Sequence, residues 1–582
     1  MKRAPATSRI CFILVGSIAS VLLPGCSEQE TAAPSPTVAS KPAAKSNSAL
    51  GPGAAAAQAS GQTPGAEVST EKGAYRVRLE PQNSPVRIGK RQAWVARVTN
   101  ANGADFAPSA LYFDGGMPGH GHGLPSAAKF TRHLGGSDYL LEGLALNMPG
   151  SWRFVVTIDG PAGVDNAVFD FDIQPATGGA SISATADWSD NELALINSLR
   201  LSTITQPADP SNRFLNDPKA IALGEDLFNE VGLSATGRVS CTTCHQAERG
   251  FADGQPLGFG SAETNRHTPT LTGVAHATWF YWDGRRDSLW AQALTPIETP
   301  GEMDNNRTDA VRFVVAAAAH KERFAELLGQ DLDLSDTERF PAGASPFGTG
   351  KLAWHRMTEQ DRSVVNNAFA VIGKTLAAYE TTLQHSNGRF DVWANSLFNA
   401  EVTNGLNPSS TTAALPKATL STDEQAGLHL FLDLPRTQCL RCHNGPLFSN
   451  LGFHNVATAE PAPGATGTHD FGRMLGLQSV LVDPFNCSGS YSDATVNECE
   501  HLRFAKRQNL SETIDGAFKV PSLRNLTATA PYFHDGRFRT LAEVIDHYRN
   551  QLVNDPLRSS EVPDIELTDS ERDQLVAFLK TL

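Results

Sequence analysis

With 582 residues the chain is too long for one hydrophobic core, and several units of on the order of 100 to 200 residues each are expected. A formal net charge of -14 gives no basic face for nucleic acid and, if clustered, favours a partner protein with a basic patch.

Residues 1–26 read as an export signal of the lipoprotein type. Lys2, Arg3 and Arg9 precede an apolar run, Ile10 to Leu23, that is too short to cross a bilayer as a mature helix. Leu23-Pro-Gly-Cys26 is similar to the box after which a cysteine is lipidated, although its proline departs from the usual residue. The expected location is the periplasm, with a lipid on Cys26 as the membrane anchor; ordinary cleavage to a free protein is the alternative. Residues 27–72 hold Ala, Ser, Pro, Gly and Gln with few large apolar groups, a composition that stays a disordered linker. Residues 73–176 change to short alternating segments such as Ala93-Trp-Val-Ala-Arg-Val98 between Gly, Asn and Pro turns, the pattern of a small all-β sandwich.

The remainder is mostly α. Capping boxes stand at Ser421 with Glu424 and at Thr568 with Glu571, each ahead of an apolar helical pattern. Cys241-Thr-Thr-Cys244-His245 and Cys439-Leu-Arg-Cys442-His443 have the spacing of covalent haem c attachment, in which both thiols join the porphyrin and the histidine ligates iron. A zinc pair or a redox dithiol explains the cysteines but not the histidine that follows each pair. Of the other four cysteines, Cys11 and Cys26 lie in the signal. Cys487 and Cys499 flank a polar stretch, and in an oxidising compartment a disulfide closing a loop is expected.

Self-similarity extends beyond the two Cys pairs. Pro269-Thr-Leu271 precedes Asp283-Gly-Arg285 and Leu289, and Pro521-Ser-Leu523 precedes Asp535-Gly-Arg537 and Leu541 at the same offsets. The fold class expected is therefore mostly α, with two cytochrome c-type haem domains related by duplication, residues 186–400 and 401–582, behind the β-sandwich. Continuing the alignment pairs Pro296 with Tyr548. If that position faces the second axial site, proline offers no donor atom, whereas a phenolate can close the other haem.

Phe280-Tyr-Trp-Asp-Gly-Arg285, Pro521-Ser-Leu-Arg-Asn525 and Thr529-Ala-Pro-Tyr-Phe-His-Asp-Gly-Arg537 resemble the bacterial di-haem cytochrome c peroxidase and MauG family. The resemblance implies that the first haem binds hydrogen peroxide and the second supplies electrons. It makes Trp282 the relay between them, Glu302 the distal carboxylate and Gln292 the neighbouring amide. Tyr548 falls where peroxidases carry an axial methionine and MauG-type enzymes a tyrosine. The loop Leu257-Gly-Phe-Gly-Ser-Ala262 lacks the histidine that blocks the resting iron in many peroxidases, so no reductive activation is expected. Calcium between the haems would use the backbone of Thr529 and Pro531, but the family's asparagine ligand is His267 here, a poor donor for a hard cation.

The N-terminal segment Met117-Pro-Gly-His120-Gly-His122, with Met148 further on, resembles YtkA-like domains; two thioethers and two imidazoles suit copper, and a turn with packed side chains is the alternative. Three functions are in view. One is a peroxidase fed by a small cytochrome c or cupredoxin; another is a MauG-like oxidase that modifies a partner protein through high-valent iron; the third is a plain electron-transfer cytochrome.

Overall fold

Alternation of inward apolar and outward polar residues builds the N-terminal part. In the computed structural model, residues 65–82, 86, 91–117, 122–123, 128–146, 150–173, 188–204, 206–207, 209–399, 419–434, 436–461, 468–495, 498–499, 501–502, 505, 514–550 and 565–582 are described. Strands β1 (Glu67–Ser69), β2 (Tyr75–Pro81), β3 (Arg91–Asn100), β4 (Ala110–Met117), β5 (His122–Gly123), β6 (Lys129–Gly135), β7 (Asp138–Ala145), β8 (Gly150–Gly160) and β9 (Gly163–Ile173) form two antiparallel sheets. Their orders are β1-β2-β3-β7-β6 and β5-β4-β8-β9. Along β9 every second residue, Ala167, Phe169, Phe171 and Ile173, is buried, as the period of two requires. Across the layers Trp94 of β3 meets Phe154 of β8 edge-on, 5.7 Å between centroids.

From Asp190 onward the chain is mainly helical. The Pro218–Asn229 helix starts with proline, which has no N–H to leave unpaired, behind Asp217, whose carboxylate accepts from the Lys219 N–H at 2.8 Å. It buries Ala220, Leu223, Gly224, Leu227 and Phe228, one helical face. Gly224 lets it cross the Glu359–Glu380 helix backbone to backbone, since a Cβ there would stand 2.0 Å from the Thr375 oxygen. Ahead of the second Cys pair the Thr422–Leu432 helix crosses the Asp569–Leu579 helix in the same way, with Gly427 against the Gln574 oxygen. Both expected capping boxes are formed, Ser421 with Glu424 and Thr568 with Glu571. Such a cap stabilises a helix by ~1 kcal/mol.

The segment between the second Cys pair and Pro521 reaches back onto the first helical core. Phe485 packs 6.0 Å from both Trp290 and Phe369, and Asp493 holds the buried Lys374 ammonium at 2.7 Å and Arg213 at 2.8 Å. Cys487 and Cys499 are joined by a disulfide, and the Cys487 N–H donates to Asp287 at 2.9 Å. All described residues fall in one unit, Ser60–Leu582. Residues 1–26 lie outside the described set, and within that set no helix is long and apolar enough to cross a membrane.

Candidate active site

Each Cys pair sits on one short helical turn, at Cys241–Cys244 and Cys439–Arg441, and all four thiols are free while Cys487 and Cys499 are bonded. Nδ1 of His245 donates to the Phe251 carbonyl and Nδ1 of His443 to the Phe448 carbonyl, each at 2.9 Å. A carbonyl can only accept, so the proton is fixed on Nδ1 and the Nε2 lone pair is left for a metal. Burial lowers both imidazoles, His443 to about 4, which keeps them neutral and able to ligate. Burial likewise pushes the thiols of Cys241, Cys244 and Cys439 up, Cys244 to about 12 and Cys439 to about 11. Phe251 and Phe448 reach their carbonyl positions through left-handed backbone, φ 58° and 51°. Paired free thiols and an oriented, neutral imidazole are the donor set that covalent haem c needs, and both places fit it.

Glu302 is within electrostatic reach of the first pair. Its charge bears on Cys241, Cys244 and Tyr281, and burial raises its own carboxyl above the usual range against the opposing pull of Arg285. Gln292, on the Leu289–Glu298 helix, is buried; its Nε2 donates to the Tyr281 hydroxyl at 3.4 Å while its Oε1 has no partner. The Tyr281 hydroxyl donates in turn to the Gln292 carbonyl at 3.2 Å. The histidine-free loop is tied to the main chain at Glu302: Ser261 N–H donates to the Glu302 backbone carbonyl at 2.8 Å and Ala262 N–H to the Gly301 carbonyl at 3.0 Å. Gly260 is required there, because a Cβ would lie 2.5 Å from the Glu302 oxygen.

Pro296 and Tyr548 are both the eighth residue of their helices, Leu289–Glu298 and Leu541–Asn550. The Tyr548 phenol is pushed up first by burial and then by Cys442 and Cys439, which puts it within electrostatic reach of the second Cys pair. A buried phenol of this kind gives up its proton only to a compensating cation such as ferric iron. The rival methionines are elsewhere: Met303 and Met357 are buried in the first helical core, and Met474 packs on a separate cluster around Leu477.

Trp282 is hydrogen bonded to residues from both parts of the helical region. Its indole Nε1 donates to the His267 carbonyl at 2.9 Å, and its own carbonyl accepts from Lys519 N–H at 2.7 Å. The following Asp283 is held below the usual carboxylate range despite burial, by Arg285 and Arg266. Thr529 and the buried Pro531, which follows a cis peptide, lie in the matching segment of the second half.

A family model described as di-haem cytochrome c peroxidase matches residues 218–397. The methylamine utilization protein MauG of Methylorubrum extorquens is 28% identical over 402 residues, 69% of this chain and 88% of that protein. Cytochrome c551 peroxidase of Nitrosomonas europaea is 25% identical over 392 residues, 67% of this chain and 87% of that protein. Over these stretches the chain is similar to the di-haem cytochrome c peroxidase and MauG family. A crystal structure of a MauG-like protein associated with microbial copper homeostasis superposes with TM-score 0.42 at 24% identity, covering 65% of this chain and 94% of that one.

Three neighbours of the site escaped sequence reasoning. Tyr281 and Arg285 stand beside Glu302, with the Arg285 guanidinium 3.4 Å above the Tyr281 ring. Tyr281 could have been found from the repeat, since its counterpart Phe533 shares its left-handed backbone, φ 68° and 72°. Glu380, at the end of the Glu359–Glu380 helix, is buried near Cys241 with Oε2 unpartnered, and burial pushes it to about 8. Nothing local marks it. Of the expected copper ligands, His120 and Met148 lie outside the described residues, while Met117 and His122 are paired across β4 and β5.

Proposed function

We propose that this di-haem oxidoreductase reduces hydrogen peroxide to two waters, with two electrons and two protons, at the haem attached through Cys241 and Cys244. His245 would hold the first iron, and His443 and Tyr548 the second. Haem, when bound, supplies the redox chemistry; the rest is assigned to the chain. Glu302 takes the proton from the inner oxygen of peroxide and returns it to the outer one, for which a desolvated carboxyl with a raised pKa is suited. The unpartnered Oε1 of Gln292 orients the substrate by accepting its other O–H. Trp282 lies on the electron path, its ring oriented by the His267 carbonyl. The matching left-handed turns, histidine-to-carbonyl bonds and glycine helix crossings support descent of the two halves from one unit.

The observation that carries this reading is the half-buried Glu302, whose carboxyl is raised by burial and whose charge bears on Cys241 and Cys244. Steady-state peroxide consumption with a reduced small cytochrome c or cupredoxin tests it, and no turnover with either donor class overturns it. Tyr548 favours a second reading, oxidation of a partner protein, because an anionic ligand stabilises the oxidised second haem. We assign Cys26 as a lipid anchor in the periplasm and the Met117, His120, His122 and Met148 segment as a copper-binding turn; mass spectrometry of the mature N-terminus and copper content of the holoprotein test these.

A further inference from the structure

The inter-haem segment of this chain does not fit calcium. A hard cation needs a cage of oxygen lone pairs at about 2.3 to 2.6 Å. At the place where an asparagine oxygen would serve, the buried His267 ring presents an N–H instead, and Nδ1 donates to the Gln255 carbonyl at 2.7 Å. Against the lowering by burial, the Thr529 carbonyl, one of the oxygens an ion would use, acts on the same ring and raises its pKa. The His267 backbone N–H donates to the His534 carbonyl at 2.7 Å, so one residue is tied to both halves. The two halves also touch main chain to main chain beside it, where a Cβ on Gly536 would lie 2.4 Å from Pro256 Cα. Finally, the His267 carbonyl receives the Trp282 indole N–H.

We propose that His267 replaces a bridging calcium ion: its imidazole and backbone join the Gln255 segment to the Thr529–His534 segment without metal, and this bridge positions Trp282. His267 is thus a positioning residue, and its link to electron transfer rests on the relay role given to Trp282 above.

The test uses holoprotein equilibrated with calcium chloride, desalted and analysed for calcium by plasma mass spectrometry. Wild type is expected to hold well under one ion per chain, and EGTA should change neither the haem spectra nor inter-haem electron transfer after flash reduction. His267→Asn, which restores an oxygen donor, is expected to take up about one calcium per chain and become EGTA-sensitive. His267→Ala should slow inter-haem transfer about tenfold or more with both haem spectra unchanged, and His267→Gln, whose amide N–H can reach the same carbonyl, should recover part of the rate. A stoichiometric calcium ion in wild type that EGTA removes, or an unchanged transfer rate in His267→Ala, overturns the proposal. Wild-type calcium content decides the first point even if a variant fails to fold. Neither readout needs peroxide, so failure here is separable from failure of the peroxidase reading.

Discussion

Replacing Glu302 with glutamine keeps the shape of the side chain and its backbone ties to Ser261 while deleting the group that carries the proton. Loss of a positioned acid-base group costs about 100- to 10,000-fold, or roughly 3 to 5 kcal/mol in the barrier. The sign of the pH dependence follows from the raised pKa of Glu302. The carboxylate must be ionised to accept the peroxide proton, so kcat/KM in wild type should fall as pH drops through a value above the usual carboxylate range. That inflection should be absent in Glu302→Gln, with both haem spectra nearly unchanged. Stopped-flow and steady-state peroxide assays across pH measure both. Wild-type rates in the variant, or an unaltered inflection, refute the role.

Three further outcomes are expected. Trp282→Phe removes the N–H that meets the His267 carbonyl and should preserve peroxide binding while slowing oxidation of the second haem by about tenfold or more, followed at that haem's absorption band. Buried Glu380, pushed from 4.5 to about 8, keeps a proton that the unfolded chain has lost, so stability should decline between those values and level off above them. Glu380→Gln should therefore gain a few kcal/mol over wild type in denaturant melts near pH 8 and nothing near pH 4. Arg524 and Asp391, 1% and 0% exposed, form a buried pair at 2.5 Å, and Asp391→Ala should cost ~3 to 5 kcal/mol in the same melts by stranding the guanidinium.

What was legible in the sequence is what local chemistry dictates. The haem-attachment motif uses five consecutive residues, so both copies are visible in the sequence, and the capping boxes read at Ser421 and Thr568 are formed. The pairing of Pro296 with Tyr548 needed only a constant offset, and both fall at the same turn of their helices. The disulfide between Cys487 and Cys499 followed from subtraction, but the return of Phe485 and Asp493 onto the first core did not. That contact joins residues far apart in sequence, and no periodicity encodes it. Glu380 and Lys374 escaped for the same reason: burial of a charged group depends on which distant helices cover it. The tie between His267 and both halves was hidden because a single substitution marks it.

Electron paramagnetic resonance of the resting, oxidised holoprotein, repeated on Tyr548→Phe, tests the central claim of two unequal haems most directly. Equal amounts of a high-spin and a low-spin ferric signal are expected, with the low-spin signal lost or shifted in the variant. A low-spin signal that survives Tyr548→Phe unchanged, or a near-infrared band of methionine ligation in wild type, contradicts the assignment.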